Sequence, residues 1–112
     1  MLKLVLDQYS IPQNDFGRAI NFKIYDEADA AFSATGYTGE VKVSNEKGSQ
    51  VVDDISPTWT VQGSGTGSFK FTSTLRPDVS GYYWVEIELT KSGEQISTER
   101  ARIYVAPSPA DT

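Results

Sequence analysis

The stretch Leu75-Arg76-Pro77-Asp78-Val79-Ser80-Gly81-Tyr82-Tyr83-Trp84-Val85 decides how the rest of the chain is read. It opens on turn chemistry, Pro77 to Gly81, and then switches to alternation. Tyr83, Val85, Ile87 and Leu89 alternate with Trp84, Glu86 and Glu88. Successive side chains on a strand point to opposite faces, so one face is apolar and the other carries aromatic and acidic groups. That is the pattern of a strand in an antiparallel sheet, packed on one side only.

The same period of two recurs to either side. Ile20, Phe22 and Ile24 alternate with Asn21 and Lys23; Val41 and Val43 with Glu40, Lys42 and Ser44; Phe69 and Phe71 flank Lys70. Ala101, Ile103 and Val105 alternate with Arg100, Arg102 and Tyr104. Turn residues separate these runs. Asn45-Glu46-Lys47-Gly48 and Lys91-Ser92-Gly93-Glu94 read as hairpin loops with Gly where a positive φ is needed. Gly63-Ser64-Gly65-Thr66-Gly67 reads as a flexible connection between Trp59-Thr60-Val61 and Phe69-Lys70-Phe71. The Ala-rich segment from Asp26 to Ser33 has room for one short helical turn. Seven to eight short antiparallel strands with turns between them predict an all-β sandwich. Residues 1–106 form that domain, and 107–112 are a polar, Pro-bearing tail unable to join a sheet centre.

The totals narrow the function. At 112 residues the chain suits one sandwich, which needs about 100. A net charge of -5, with Lys and Arg scattered, disfavours nucleic acid. No apolar run is long enough for a membrane helix, and the N-terminus lacks the pattern of a signal peptide. There is no Cys and no His. Thiolate nucleophiles, Ser-His pairs and the usual zinc sites are therefore out of reach, and no cofactor is expected.

The Leu75–Val85 stretch resembles the Asp-x-Gly-x-Tyr-x-Cys approach to one central strand of immunoglobulin domains. Here Gly81, Tyr83 and Val85 are the motif residues. The resemblance implies that Tyr83 bends back to hydrogen-bond backbone at the corner before its strand. Two departures matter. Asp78 lies one residue further from Gly81, and Val85 stands where the family has cysteine, so no disulfide follows. The expected fold is an immunoglobulin-like β-sandwich.

Several longer runs resemble the immunoglobulin-like modules at the N-terminus of bacteriophage baseplate upper proteins and related small virion proteins. They are Ala19–Asp26, Ala34–Val43, Gly67–Phe71, Gly81–Leu89 and Glu99–Val105, the last followed by a Pro-containing exit. The resemblance implies a virion structural protein, made in the host cytoplasm, acting as a decoration or attachment module on capsid or on tail and baseplate. Expected partners are other virion proteins, with homo-oligomers and weak host-surface glycan contact as further options.

With Tyr83 and Val85 inward, Tyr82 and Trp84 face outward. Trp and Tyr are enriched at binding hot spots, so Tyr82, Trp84, Tyr104 and Trp59 are the candidate interface. The competing reading is that Arg100, Arg102 or Tyr104 cover the rings across the strands, and that Trp59 belongs to the core or sandwich edge. A carbohydrate-binding or adhesion module is the alternative function, using Tyr82, Trp84 or Trp59 as a sugar platform. Three other constellations are weaker. Asp26, Glu27 and Asp29, and the pair Asp53-Asp54, lack a calcium-loop pattern. The Gly63–Gly67 run lacks the Lys-Ser/Thr and helix of a phosphate loop. Glu86 and Glu88 read as a solvated face or as partners for Arg100 and Arg102. Among the strands, Leu2–Leu6 is the expected exposed edge, paired within its own sandwich or added to a neighbour's sheet.

Overall fold

The alternation that begins at Gly81 becomes an eleven-residue strand at the centre of one sheet, and the computed structural model builds outward from it. The structure describes residues 1–13, 15–77 and 79–107, with Asp53 and Asp54 described by backbone alone. Asp78 and residues 108–112, most of the expected tail, lie outside that set; Pro107 is exposed coil.

Among the described residues ten strands follow in order: β1 (Lys3–Leu6), β2 (Ser10–Pro12), β3 (Ala19–Tyr25), β4 (Thr38–Asn45), β5 (Gln50–Ile55), β6 (Thr58–Val61), β7 (Thr66–Lys70), β8 (Gly81–Lys91), β9 (Glu94–Ser97) and β10 (Ala101–Ala106). One sheet runs β1-β3-β7-β6; the other runs β2-β10-β8-β4-β5, with β9 also on β8. The two sheets close on Ile20, Phe22, Ile24, Val41, Val43, Phe69, Val85, Ile87, Leu89, Ile103 and Val105, all essentially buried. This is an immunoglobulin-like β-sandwich.

Ten strands stand where seven to eight are expected, because the first and last are each interrupted. β1 pairs antiparallel with β3 in one sheet, then the chain crosses and β2 pairs parallel with β10 in the other. At the far end β9 and β10 both lie on β8, with a break at Thr98, Glu99 and Arg100. Thr98 is 1% exposed, and its Oγ1 accepts the Ile87 N–H at 3.0 Å, so its side chain replaces a missing ladder bond. Treating each interrupted pair as one strand returns eight.

The N-terminal strand is an edge of its sheet, and it pairs inside its own sandwich. Leu4 and Leu6 are buried, Val5 is exposed, and Leu2 bridges to Thr98. The Glu99 N–H donates to the Leu2 carbonyl at 2.7 Å, which ties this edge to the opposite sheet.

Two local expectations are corrected. The Asp26–Ser33 segment makes a tight turn without helix. Asp26 Oδ1 accepts the Ala28 and Ala30 N–H groups at 2.8 and 3.0 Å, and Asp29 takes φ 63°. An Asp side chain that satisfies these donors competes with helical bonding. The Gly63–Gly67 run is held in place. Gln62–Ser64 forms a 3-10 turn, and Gly65 follows at φ 65°. Gln62 Nε2 donates to the Ala34 and Tyr37 carbonyls at 2.9 and 3.0 Å, pinning the neighbouring loop to this turn. A Cβ on Gly65 would lie 2.5 Å from the Phe32 carbonyl oxygen, so only Gly permits the approach. The hairpin glycines Gly48 and Gly93 have φ 85° and 78°, as their turns require.

Candidate interaction face

The Gly81–Lys91 register sets the outer face of the larger sheet. Tyr82 lies opposite Tyr104, and Trp84 is flanked by Arg102 on β10 and Ser44 on β4. Lys42 pairs with Glu86, and Glu40 with Glu88. Because Val41, Val43, Tyr83, Val85, Ile87 and Ile103 point inward, all these alternate residues point out.

The face has two halves. At one end the Tyr82 and Tyr104 rings sit 5.0 Å apart, inclined by 48°. The Arg102 guanidinium lies over the Tyr82 ring at 4.5 Å, a cation–π contact. Tyr82 is still 42% exposed; Trp84 and Tyr104 are half-buried. Val51 and Val79, exposed at 41% and 62%, extend this apolar end. Together with Asn45, Glu46, Lys47, Gly81 and Tyr82 they line a shallow groove of about 380 Å³, in which Glu46 and Lys47 offset each other's charge. Val51 was not among the sequence candidates. Its signal is the neighbour Val52: two adjacent valines on a strand must point opposite ways, and Val52 is 1% exposed.

The other half is acidic. Lys42 Nζ binds Glu88 Oε2 at 3.1 Å, with Glu40 and Glu86 nearby. The hydrogen bond from Lys42 to Glu88 raises the ammonium above the ordinary lysine value; burial opposes the shift, and the charges of Glu88, Glu40 and Glu86 add to it. Glu88 therefore pairs across to β4, which corrects the expectation of Arg100 or Arg102 as its partner. The reason is register: β10 pairs β8 only as far as Ala101 opposite Val85, and Arg102 turns toward Tyr82.

Tyr82, Trp84 and Tyr104 come together, and Trp59 does not. It lies on β6 of the smaller sheet, packed inward against the core. Phe22, Gly67 and Trp59 stand side by side across β3, β7 and β6. The absent side chain of Gly67 lets the Phe22 and Trp59 rings meet edge to face at 5.6 Å. A Cβ on Gly39 would lie 3.2 Å from the Trp59 ring, so glycine on β4 makes room for it at the sandwich edge. The motif residues also fall into place. Tyr83 is 5% exposed and its hydroxyl donates to the Val79 carbonyl at 2.6 Å, while Val85 is fully buried where a cysteine would sit.

The set-aside acids have local work. Asp26 closes its turn, Glu27 pairs with the N-terminal ammonium, and Asp29 pairs with Lys3. The ammonium beside Glu27 holds its carboxyl below the ordinary glutamate value. Asp53 and Asp54 fall on β5 with side chains outside the described set. An open cleft of about 680 Å³ lies beside the Asp26 turn, with Leu2, Phe32 and Ile96 as its apolar floor.

No family model matches this chain, and no curated protein matches it. Solved structures do resemble it. Dimeric latent PorU from Porphyromonas gingivalis superposes with a TM-score of 0.62 at 12% identity, over 96% of this chain and 9% of PorU. The chain thus spans under a tenth of PorU's length. CopC from Methylosinus trichosporium OB3b gives a TM-score of 0.54 at 10% identity, over 96% of this chain and 95% of CopC. The Lin-41 filamin domain gives 0.48 at 16% identity, over 94% and 91%. At such identities the likeness is one of fold.

Proposed function

We propose that this chain is a non-enzymatic immunoglobulin-like contact module, a bacteriophage structural protein that decorates or attaches to capsid or tail. The observation that carries the contact role is the Tyr82–Trp84–Tyr104 patch. Large rings stand on a rigid central strand pair, and Arg102 holds one of them in place. Tyr and Trp rings, with two χ angles each, present a large contact area and lose little conformational freedom on docking, which favours binding. The virion assignment rests on the sequence resemblance of the Ala19–Asp26, Gly81–Leu89 and Glu99–Val105 runs. A sugar platform is the weaker reading, because the two tyrosine rings are inclined by 48° and Arg102 covers one of them.

The test is incorporation into particles. Particles are purified from cells making the chain or its Tyr82→Ala/Trp84→Ala variant, and both are quantified by mass spectrometry. The expected result is wild-type chain at fixed stoichiometry and loss of the variant by about tenfold or more, as for hot-spot residues. Wild-type chain absent from particles sinks the virion role. Binding to a glycan array that the same variant abolishes moves the assignment to the carbohydrate module.

A further inference from the structure

Resting on that contact-face reading, we infer that the partner of the face is a second copy of this chain. The two copies pack face to face about a two-fold axis that runs across the strands and meets β8 at Trp84. The argument is the order of chemistry along the face. The outward side chains of β8 run Tyr82, Trp84, Glu86, Glu88. Arg102 places its cation over Tyr82 at one end. Glu40, Glu86 and Glu88 gather around Lys42 at the other. The face is therefore polar end to end, with an indole between.

A two-fold axis across the strands reverses this order in the second copy. Trp84 then meets the partner's Trp84 at the centre. Tyr82, with Arg102 over it, faces the partner's Glu86, and the same contact repeats on the other side of the axis, as an isologous interface demands. Packed sheets stand about 10 Å apart, a gap an Arg and a Glu side chain span together. An axis along the strands sets Glu86 and Glu88 against their own copies, and that like-charge contact rejects the arrangement. Size permits a weak, reversible pairing. The axis at Trp84 overlays Gly81 to Ile87 of β8 on the second copy. Seven residues at about 3.3 Å each, across at most five strands about 4.8 Å apart, give on the order of 550 Å². That is below the about 800 Å² per partner of a standard interface and in the range of transient contacts. The apolar centre with a charged surround is the usual anatomy of such a contact.

Sedimentation equilibrium of the full chain at low salt tests this, with circular dichroism to confirm that each variant folds. Wild type is expected to show a monomer–dimer equilibrium between about 1 µM and 1 mM. Arg102→Glu and Glu86→Lys are each expected to weaken the dimer by about tenfold or more. Mixing the two variants is expected to restore association. In the mixed dimer one contact brings the two substituted positions together with their charges exchanged, and the other is the native Arg102 against Glu86. A wild-type chain that stays monomeric throughout overturns the inference, as does association that grows beyond two or that both single variants leave intact. The particle assay separates the two claims. Monomeric wild type whose face variants drop out of particles overturns the dimer alone; a dimer whose face variants still enter particles overturns the contact role in the virion.

Discussion

Thr98 and Tyr83 both place a hydroxyl against backbone, and the consequences of losing each differ. Thr98 Oγ1 is the acceptor for the Ile87 N–H in a site 1% exposed. Thr98→Val keeps the shape and leaves that donor unsatisfied in the core, a cost of about 1–3 kcal/mol. The Tyr83 hydroxyl donates to the carbonyl of Val79, an exposed loop residue that water reaches. Tyr83→Phe is expected to cost less, about 1 kcal/mol. Urea unfolding of both variants checks the ranking: the midpoints fall in that order with slopes unchanged. Tyr83 was legible from the sequence through a resemblance: Gly81-Tyr82-Tyr83-Trp84-Val85 is similar to the immunoglobulin approach to its central strand, which implies the corner role. Thr98 was not. A Thr near a chain turn reads as solvated until a strand break places it over a ladder vacancy.

At the scale of strands, β7 is the thin slat between two aromatic walls. Gly67 lies between Phe22 and Trp59, and a Cβ there would meet the Thr58 carbonyl oxygen at 2.7 Å and the Phe22 ring at 2.9 Å. Gly67→Ala is expected to push β6 away and destabilise the fold by about 1–3 kcal/mol, seen in urea or thermal unfolding. An ordinary strand glycine gains from that substitution instead, because alanine has less freedom to lose on folding. The β4–β8 pair carries the pH dependence. Glu88 raises the Lys42 ammonium above the ordinary lysine value of 10.5. A group raised on folding stabilises fully below its unfolded value and loses that contribution as pH climbs through the folded one. Stability of the wild type is therefore expected to decline from about pH 10 upward more steeply than that of Lys42→Met. The difference is small, because the pair is solvent-screened. Equal slopes in alkaline urea titrations remove Lys42 from the account.

For the whole molecule, period-two alternation and turn residues determined the class, the inward set from Ile20 to Val105, and the outward direction of Tyr82 and Trp84. Those are local properties: a strand's two faces follow from backbone geometry, and a hairpin glycine follows from its φ. The absence of Cys and His was equally plain, and Val85 is fully buried between the sheets at the position where the immunoglobulin pattern it resembles has cysteine. Tertiary structure alone decided the rest. It split the first and last strands between sheets or around Thr98, froze Gly65 and Gly67 between neighbouring backbones, turned Trp59 inward on the smaller sheet, and gave Glu88 to Lys42. Each of these depends on which strand lies beside which and in what register. That is a contact between segments tens of residues apart, and no window along the chain contains both sides of it.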